Sequence, residues 1–189
     1  IKDNYYPAEI YVPFKQLADV MTKVAGYSDG SYKGLDKIVF APENYKFTDK
    51  MHDENPTVLN RLSKGHKYDL KSNIFDKLPD IFLKEAPDDG RQYVKIYGLS
   101  KKQRVYRYIK ADYISNKTNF MGWKVFVPKA NGSGALGETL STPLIGKPLI
   151  GNTQTFISIG NFKTEFEAES AMKYIKSKFA RALLGILKI

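Results

Sequence analysis

Residues 123–129 have the sequence WKVFVPK, and we expect the fold to be organised around this stretch. Its apolar and aromatic residues are dense enough for a strand that is buried in a sheet. The residues after it are rich in glycine and proline and favour no regular element until a second strand, which we predict at 154–159. A structureless segment of this length is uncommon inside a compact domain and is usually functional. We therefore predict that residues 130–153 form a recognition loop.

The composition of the chain is strongly basic. Its 189 residues include 30 Lys and Arg against 20 Asp and Glu, which gives a net charge of +10. Such a balance favours a polyanionic partner, of which nucleic acid is the commonest. The alternative is a basic protein without such a partner. The 13 Tyr, 11 Phe and one Trp offer flat faces for stacking on bases, although most aromatic residues fill protein cores.

Cysteine is absent, which excludes disulfides, a thiol nucleophile and a thiolate metal site. A reducing compartment is compatible with this, and we expect a cytoplasmic protein. No apolar run reaches the ~18 residues that a membrane span needs, so no membrane partner is expected. The first residue is not Met and the chain ends on an apolar helix, which indicates a fragment of a longer protein.

The length suits a single domain over residues 1–189, of which 1–90 are predicted to be helical and irregular. A helix is predicted from Phe14 to Gly26, where the glycine ends it. A strand is predicted at 35–40 and ends at Pro42. The polar stretch that follows is predicted to hold two short helices, one after Asn55-Pro56 and one within 72–83.

Residues 91–189 are predicted to contain the sheet, the recognition loop and a C-terminal helix. Strands at 91–97 and 104–110 alternate with period two, and residues 98–103 would link them as a hairpin. One face of the second strand carries two cations around two tyrosines: Arg104, Tyr106, Tyr108 and Lys110. This face suits backbone phosphates and exposed bases. An equally good interpretation is a sheet face on which cationic stems lie over tyrosines.

The C-terminal helix begins with a capping box, Thr164 with Glu167 three residues later. Apolar residues then recur at helical spacing through to Ile189, which indicates a helix that packs on the core rather than one that reads a groove. The predicted fold is therefore α/β of the α+β kind. It has a mixed, mainly antiparallel sheet with flanking N-terminal and C-terminal helices.

No catalytic or metal site is predicted. Gly132, Gly134 and Gly137 match the spacing of a dinucleotide fingerprint, but the prolines after them prevent the helix on which that motif depends. His52 and His66 lie in a polar region and are predicted to be exposed. The carboxylates between residues 53 and 89 are typical of turns and caps.

Three stretches, residues 96–109, 123–132 and 153–169, resemble the region beyond the catalytic domain in restriction–modification adenine methyltransferases. Related proteins include single-chain restriction enzymes that join nuclease, methylase and specificity parts. The resemblance covers residues 90–189 well and the earlier residues weakly. It implies a target-recognition domain that reads the DNA sequence while a methylase domain of the same chain flips out an adenine.

The methylase signature Asn/Asp-Pro-Pro-Tyr/Phe is absent, since the sequence after Asn55-Pro56 breaks it. The resemblance therefore implies that the parent protein is a DNA adenine-N6 methyltransferase or restriction endonuclease. Its S-adenosylmethionine and Mg²⁺ are expected only in other domains, and no cofactor is expected here.

The leading hypothesis is sequence-specific recognition of double-stranded DNA. Cations of the hairpin would hold phosphates, while polar residues of the loop would approach base edges. The candidate DNA-binding residues are Lys101, Lys102, Arg104, Tyr106, Arg107, Lys129, Asn131, Ser133, Lys147 and Gln154. One alternative is a basic module that binds an acidic protein. Another is a small metal-dependent enzyme built from the carboxylates and histidines of residues 49–89.

Overall fold

The computed structural model describes residues 14–26, 35–115, 118–130 and 142–187, and the elements below belong to these ranges. The α-helices are α1 (Lys15–Gly26), α2 (Asp49–Glu54), α3 (Ile74–Lys77), α4 (Glu165–Lys176) and α5 (Lys178–Leu187). The strands are β1 (Val39–Phe40), β2 (Lys46–Phe47), β3 (Tyr93–Ser100), β4 (Gln103–Lys110), β5 (Ile114–Ser115), β6 (Trp123–Pro128), β7 (Leu144–Gly146), β8 (Ile150–Asn152) and β9 (Phe156–Phe162). Short 3₁₀ helices cover Leu35–Ile38, Pro42–Asn44, Pro56–Arg61 and Ala111–Tyr113.

These strands form two larger sheets and one small one. The first sheet has the order β1-β9-β6-β7, the second has the order β4-β3-β8, and β2 pairs with β5. The β3–β8 pair is parallel, and the other strand pairs are antiparallel. The prediction of an α+β fold with mainly antiparallel pairing and helices toward both ends is confirmed, although the strands divide among three sheets.

Strand β6, the WKVFVPK stretch, is buried on both faces. Val125 and Val127 pack with Ile175 of α4 on one face. On the other face Phe126 shares a small cluster with Tyr97 and Phe156, and this cluster fills the space between the two larger sheets. Because both faces of the strand are covered, its apolar residues are nearly continuous rather than alternating. The prediction that this stretch is a strand buried in a sheet is confirmed.

The far face of the β4-β3-β8 sheet carries the largest core. Ile96 and Ile109 of the hairpin pack there against Phe75, Phe82 and other residues of the 45–82 region. The region that reads as polar and broken in sequence therefore supplies much of the buried apolar surface. Its turns place single apolar residues in the core, so these residues do not recur at the spacing of a helix or a strand.

Three predicted elements differ in form. The strand at 35–40 is mostly a 3₁₀ helix, and only Val39–Phe40 pairs with β9. The helix after Asn55 is a 3₁₀ helix rather than an α-helix. The C-terminal helix has its predicted capping box but is interrupted at Ser177, whose hydroxyl accepts from the N–H of Ala180 and so begins a new helix.

The predicted hairpin exists, but its loop is much shorter than expected. Residues 98–100 and Gln103 belong to the strands, and Ser100 pairs with Gln103. Only Lys101 and Lys102 form the turn, with φ of +49° and +67°. Positive φ at both central residues defines the type I′ turn, whose twist matches that of paired strands. The sequence hides this turn because it lacks the usual Asn-Gly.

The second half of the predicted recognition loop is not a loop. Strand β7 pairs with β6, and β8 pairs with β3, so this segment crosses from one larger sheet to the other. Its glycines allow close packing: a Cβ on Gly146 would lie 2.5 Å from the Phe126 ring, and one on Gly151 would lie 2.9 Å from Ile96. The prediction of a structureless loop is therefore wrong for residues 142–153. Residues 131–141 lie outside the described part of the chain.

Candidate nucleic-acid interface

The positive charge of the chain is concentrated in one tract. Residues 91–130 contain ten Lys and Arg and a single acidic residue, Asp112, so this tract carries +9 of the net charge of +10. It comprises the β3–β4 hairpin, β5 and β6. Lys124, one of the ten, is fully buried. The other cations meet few acidic residues along this tract, and such an excess of positive charge favours a polyanion.

The tip of the hairpin is the most exposed part of this tract. Lys101, Lys102 and Gln103 are all exposed. Asp76 fixes the tip from outside, because its carboxylate accepts from the Ser100 hydroxyl at 2.7 Å and from the Lys101 N–H at 3.1 Å. These two hydrogen bonds hold the pKa of Asp76 below its usual value. The tip therefore presents its lysines on a fixed backbone.

The face of β4 that carries Arg104 and Tyr106 leads into the aromatic cluster between the sheets. The Arg104 guanidinium lies 5.6 Å from the centre of the Phe156 ring, and its Nη1 donates to the Thr142 carbonyl at 2.9 Å. Tyr106 lies 5.0 Å from Tyr97 and keeps 36% of its surface exposed. Burial raises the pKa of its hydroxyl, so Tyr106 is a neutral aromatic edge at physiological pH. Arg104 thus lies over a ring, as the sheet-face interpretation predicts, although that ring is Phe156 rather than a tyrosine. The guanidinium also remains exposed, and its contact with phosphates stays a prediction.

The opposite face of β4 borders a groove of about 970 Å³. Phe75, Phe82 and Val105 contribute apolar lining, and Arg107 with Lys101 contributes charge. Arg107 and Arg104 therefore lie on opposite faces of the same strand, as their spacing predicts. Within the described ranges, no salt bridge engages either arginine or the two lysines of the tip. Their charges remain available to a ligand.

Lys129 lies near the same end of the molecule as the hairpin tip. It follows β6, and its N–H donates to the Thr155 carbonyl at 2.9 Å. The neighbouring Pro128 pairs with Phe156, the ring over which Arg104 lies. Arg104 also binds the Thr142 carbonyl. Residues 130 and 142, which flank the undescribed segment, are therefore placed beside the cations of the hairpin.

The other predicted site residues are not all gathered here. Lys147 is exposed and follows Gly146, which pairs with Lys124, so it lies about 20 Å along β6 from Lys129. Its ammonium is 5.9 Å from the centre of the Trp123 ring. Gln154 is half-buried, and its N–H donates to the Leu70 carbonyl at 2.8 Å. Asn131 and Ser133 lie outside the described residues.

Sequence reasoning missed two residues that matter at the tip. Gln103 was assigned to a loop, yet the structure places it, exposed, at the first position of β4. Asp76 lies 24 residues before Ser100 in the chain, and nothing in its local sequence indicates that it anchors a distant turn. A search for type I′ turns without glycine could have found Gln103, whereas Asp76 has no comparable signal.

The histidines and carboxylates of residues 49–89 were the basis of the enzyme alternative. His52 is only 8% exposed and packs edge-on against Phe47 and Tyr68, so the prediction that it is exposed is wrong. The helix α2 turns it into the core beside Met51. His66 is exposed and pairs with Asp69 at 2.7 Å. Among the described residues, no three His, Asp or Glu side chains are grouped as metal ligands.

A second, charged cavity of about 510 Å³ lies at the other end of the hairpin, beside Lys110. Glu54 accepts from the Tyr113 hydroxyl at 2.6 Å and from the Lys110 ammonium at 2.9 Å. These hydrogen bonds lower the pKa of Glu54 to about 2. The carboxylate is thus ionised and fully engaged, which suits a structural ion pair better than a general acid or base.

Comparison of the chain with protein-family models, curated proteins and solved structures gave no match. The resemblance to target-recognition regions therefore stays a prediction. Over the described residues, no helix has both the length and the apolar character that a membrane crossing requires.

Proposed function

We propose that this chain is a sequence-specific binding domain for double-stranded DNA and that the β3–β4 hairpin is its main contact. The observation that carries the proposal is the hairpin tip, where Lys101, Lys102 and Gln103 are exposed on a backbone fixed by Asp76. The tip belongs to the tract that holds +9 of the net charge. A fixed, cationic, two-stranded tip has the form of a DNA-reading ribbon.

The dimensions of the hairpin fit a major groove. That groove is about 12 Å wide and admits a two-stranded β-ribbon, whose strands lie about 4.8 Å apart. Lys101 and Lys102 would hold phosphates on the two sides of the groove and so set the register. Gln103 lies at the end of the ribbon that would enter the groove. Its side-chain amide can pair with adenine through both the oxygen and the nitrogen. Arg104 and Lys129 lie beside the residues that flank 131–141, and they would contact the DNA backbone.

The resemblance in sequence extends the proposal to the whole protein. On that basis the domain serves an adenine methyltransferase of a restriction–modification system, and its direct partner besides DNA is the catalytic domain of the same chain. In this setting the hairpin fixes where the enzyme stops on DNA, and the chemistry takes place elsewhere. S-adenosylmethionine and Mg²⁺ would belong to those other domains.

Salt dependence of binding tests the proposal. Fluorescence anisotropy with a pool of random duplexes, followed by selection of the bound fraction, would give both affinity and target site. The double variant Lys101→Ala/Lys102→Ala should flatten the slope of log K against log salt by about 2, because each phosphate contact contributes roughly 0.9. Lys173→Ala/Lys176→Ala is the matched control, since it removes the same charge from the exposed side of α4.

The control variant should keep the slope of the unmodified protein. If no duplex pool shows salt-sensitive binding, the proposal is wrong. If both double variants reduce the slope equally, the protein binds DNA by net charge alone and the hairpin has no special role.

A further inference from the structure

The turn that crosses between the two larger sheets holds a leucine in an unfavourable backbone conformation. This crossover turn consists of residues 147–150, and the N–H of Ile150 donates to the Lys147 carbonyl at 3.3 Å. Pro148 and Leu149 are its central residues, and Leu149 has φ of +61°. The third position of such a turn suits glycine or asparagine, because in the left-handed region other residues bring Cβ close to the next carbonyl. A glycine here would avoid the strain that the leucine introduces.

Burial within this chain does not offset that strain. The Leu149 side chain is 47% exposed. Its N–H donates to the Phe120 carbonyl at 2.9 Å, and the residue after Phe120 is Met121, which is 72% exposed. Two large apolar side chains are thus presented to solvent from backbone positions joined by one hydrogen bond. Neither side chain is covered by the described part of the chain, so both are accessible to a partner molecule.

A buried lysine holds the base of the turn. Lys124 is fully buried, and its Nζ donates to the carbonyls of Phe120 at 3.1 Å and Ile150 at 3.0 Å. The amine therefore ties together the two backbone segments from which Met121 and Leu149 project. No salt bridge to Lys124 is present in the described part of the chain. Its burial is therefore offset by these hydrogen bonds and by the Phe120 ring, whose centre is 5.8 Å from Nζ. Two unfavourable features at one turn are typical of a functional site.

We propose that Leu149 and Met121 form an apolar wedge that inserts between base pairs of duplex DNA, with Lys147 on a neighbouring phosphate. Leucine and methionine are among the side chains that unstack base steps in this way. The charge of the surroundings favours DNA as the occupant, since Lys147 of the turn is exposed and Lys95 pairs with Ile150 at the end of the turn. The proposal rests on the proposed function and adds deformation of the duplex to it.

The position of the turn suits a second contact on the same duplex. Ile150 pairs with Lys95, and Lys95 lies six residues before the tip lysine Lys101. At the usual rise of a strand, the turn and the tip are about 20 Å apart along the sheet. One turn of DNA measures about 34 Å, so both elements can reach one binding site.

Relaxation of a closed circular plasmid by topoisomerase tests the wedge without knowledge of the target sequence. The plasmid is relaxed in the presence of saturating protein and then freed of it, and the topoisomer distribution is compared with that of the plasmid alone. The unmodified protein should shift the distribution toward lower linking number, because unstacking a base step unwinds the duplex. Leu149→Gly should lose at least half of this shift at equal saturation, and Met121→Ser should lose part of it.

Folding is controlled separately. Leu149→Gly should have a thermal midpoint equal to or above that of the unmodified protein, because glycine is unstrained at this φ. If the glycine variant does not fold, Leu149→Asn takes its place in the experiment, because asparagine also tolerates this conformation.

An equal topoisomer shift by the unmodified protein and Leu149→Gly overturns the wedge, while the salt slope of the Lys101→Ala/Lys102→Ala variant continues to support DNA binding by the hairpin. Absence of all duplex binding overturns both proposals. In that case, the unmodified protein and Leu149→Gly would be sedimented with phosphatidylserine vesicles. Binding by the unmodified protein that is lost in Leu149→Gly would assign the turn to a membrane surface instead.

Discussion

In the described part of the chain, two tight turns hold residues other than glycine in the left-handed region. They differ in what they present and in what supports them. The hairpin tip presents Lys101 and Lys102, and an exposed carboxylate, Asp76, holds it through hydrogen bonds open to solvent. The crossover turn presents Leu149, and the buried amine of Lys124 holds it from inside the core. Hydrogen bonds in a dry interior are stronger than those at the surface. We therefore expect the crossover turn to be the more rigid of the two.

The largest expected effect concerns Lys124. Burial lowers its pKa to about 7, whereas the unfolded chain has a lysine pKa of about 10.4. Between these values the unfolded state binds more protons, so stability rises with pH through this window and the lysine is most unfavourable below pH 7. Lys124→Met should remove this dependence and stabilise the fold at pH 7 by a few kcal/mol, since one pKa unit corresponds to about 1.4 kcal/mol.

Denaturant unfolding of both proteins at pH 7 and pH 10 measures the difference. The two stabilities should converge as the pH rises, because the buried amine of the unmodified protein is then neutral. A variant that is less stable than the unmodified protein at pH 7 would mean that the hydrogen bonds to the carbonyls of Phe120 and Ile150 outweigh the burial of charge. Lys124 would then stabilise the crossover turn rather than place an unfavourable charge beneath it.

The same lysine shows where the sequence stops being informative about the fold. The stretch WKVFVPK correctly predicts a buried strand, and Thr164 with Glu167 correctly predicts a helix start, because both signals are local. The burial of Lys124 depends instead on the crossover turn, which arrives some twenty residues later. Strands β7 and β8 have three residues each, too few to show a period of two.

The candidate interface divides in the same way. The cations of the hairpin could be chosen from the sequence because alternation along β4 assigns Arg104 and Arg107 to opposite faces. The anchoring of the tip by Asp76 could not, since it joins residues far apart in the chain. The strained conformation of Leu149 was equally hidden, because a leucine gives no signal for positive φ.

A smaller effect is expected at Gly146, where the chain enters the crossover turn. A Cβ at this position would lie 2.5 Å from the Phe126 ring, which is fully buried. Gly146→Ala should therefore destabilise the protein by about 1–3 kcal/mol, the usual range for overpacking. Thermal or denaturant unfolding gives this value directly.

The control for Gly146→Ala is a double-mutant cycle with Phe126→Leu. The smaller side chain makes room, so the alanine should cost less in that background than in the unmodified protein. Equal costs in both backgrounds would show that the ring does not limit this position. The residues around Gly146 would then pack less tightly in the core than we expect from the greater rigidity of the crossover turn.

The smallest expected effect on stability belongs to the hairpin tip, and it separates strain from charge. Lys101→Asn/Lys102→Gly introduces the pair that type I′ turns prefer, so it should stabilise the fold by about 1 kcal/mol. It also removes both phosphate-binding cations, so duplex affinity and the salt slope should fall together. Lys101→Ala/Lys102→Ala should lose the same affinity without the gain in stability, because alanine keeps the strain. If the stabilised tip still bound duplex DNA as well as the unmodified protein, its lysines would be ordinary turn residues without a role in DNA binding. The wedge at Leu149 would be unaffected by that result, since its strain is supported by Lys124 and tested by its own variants.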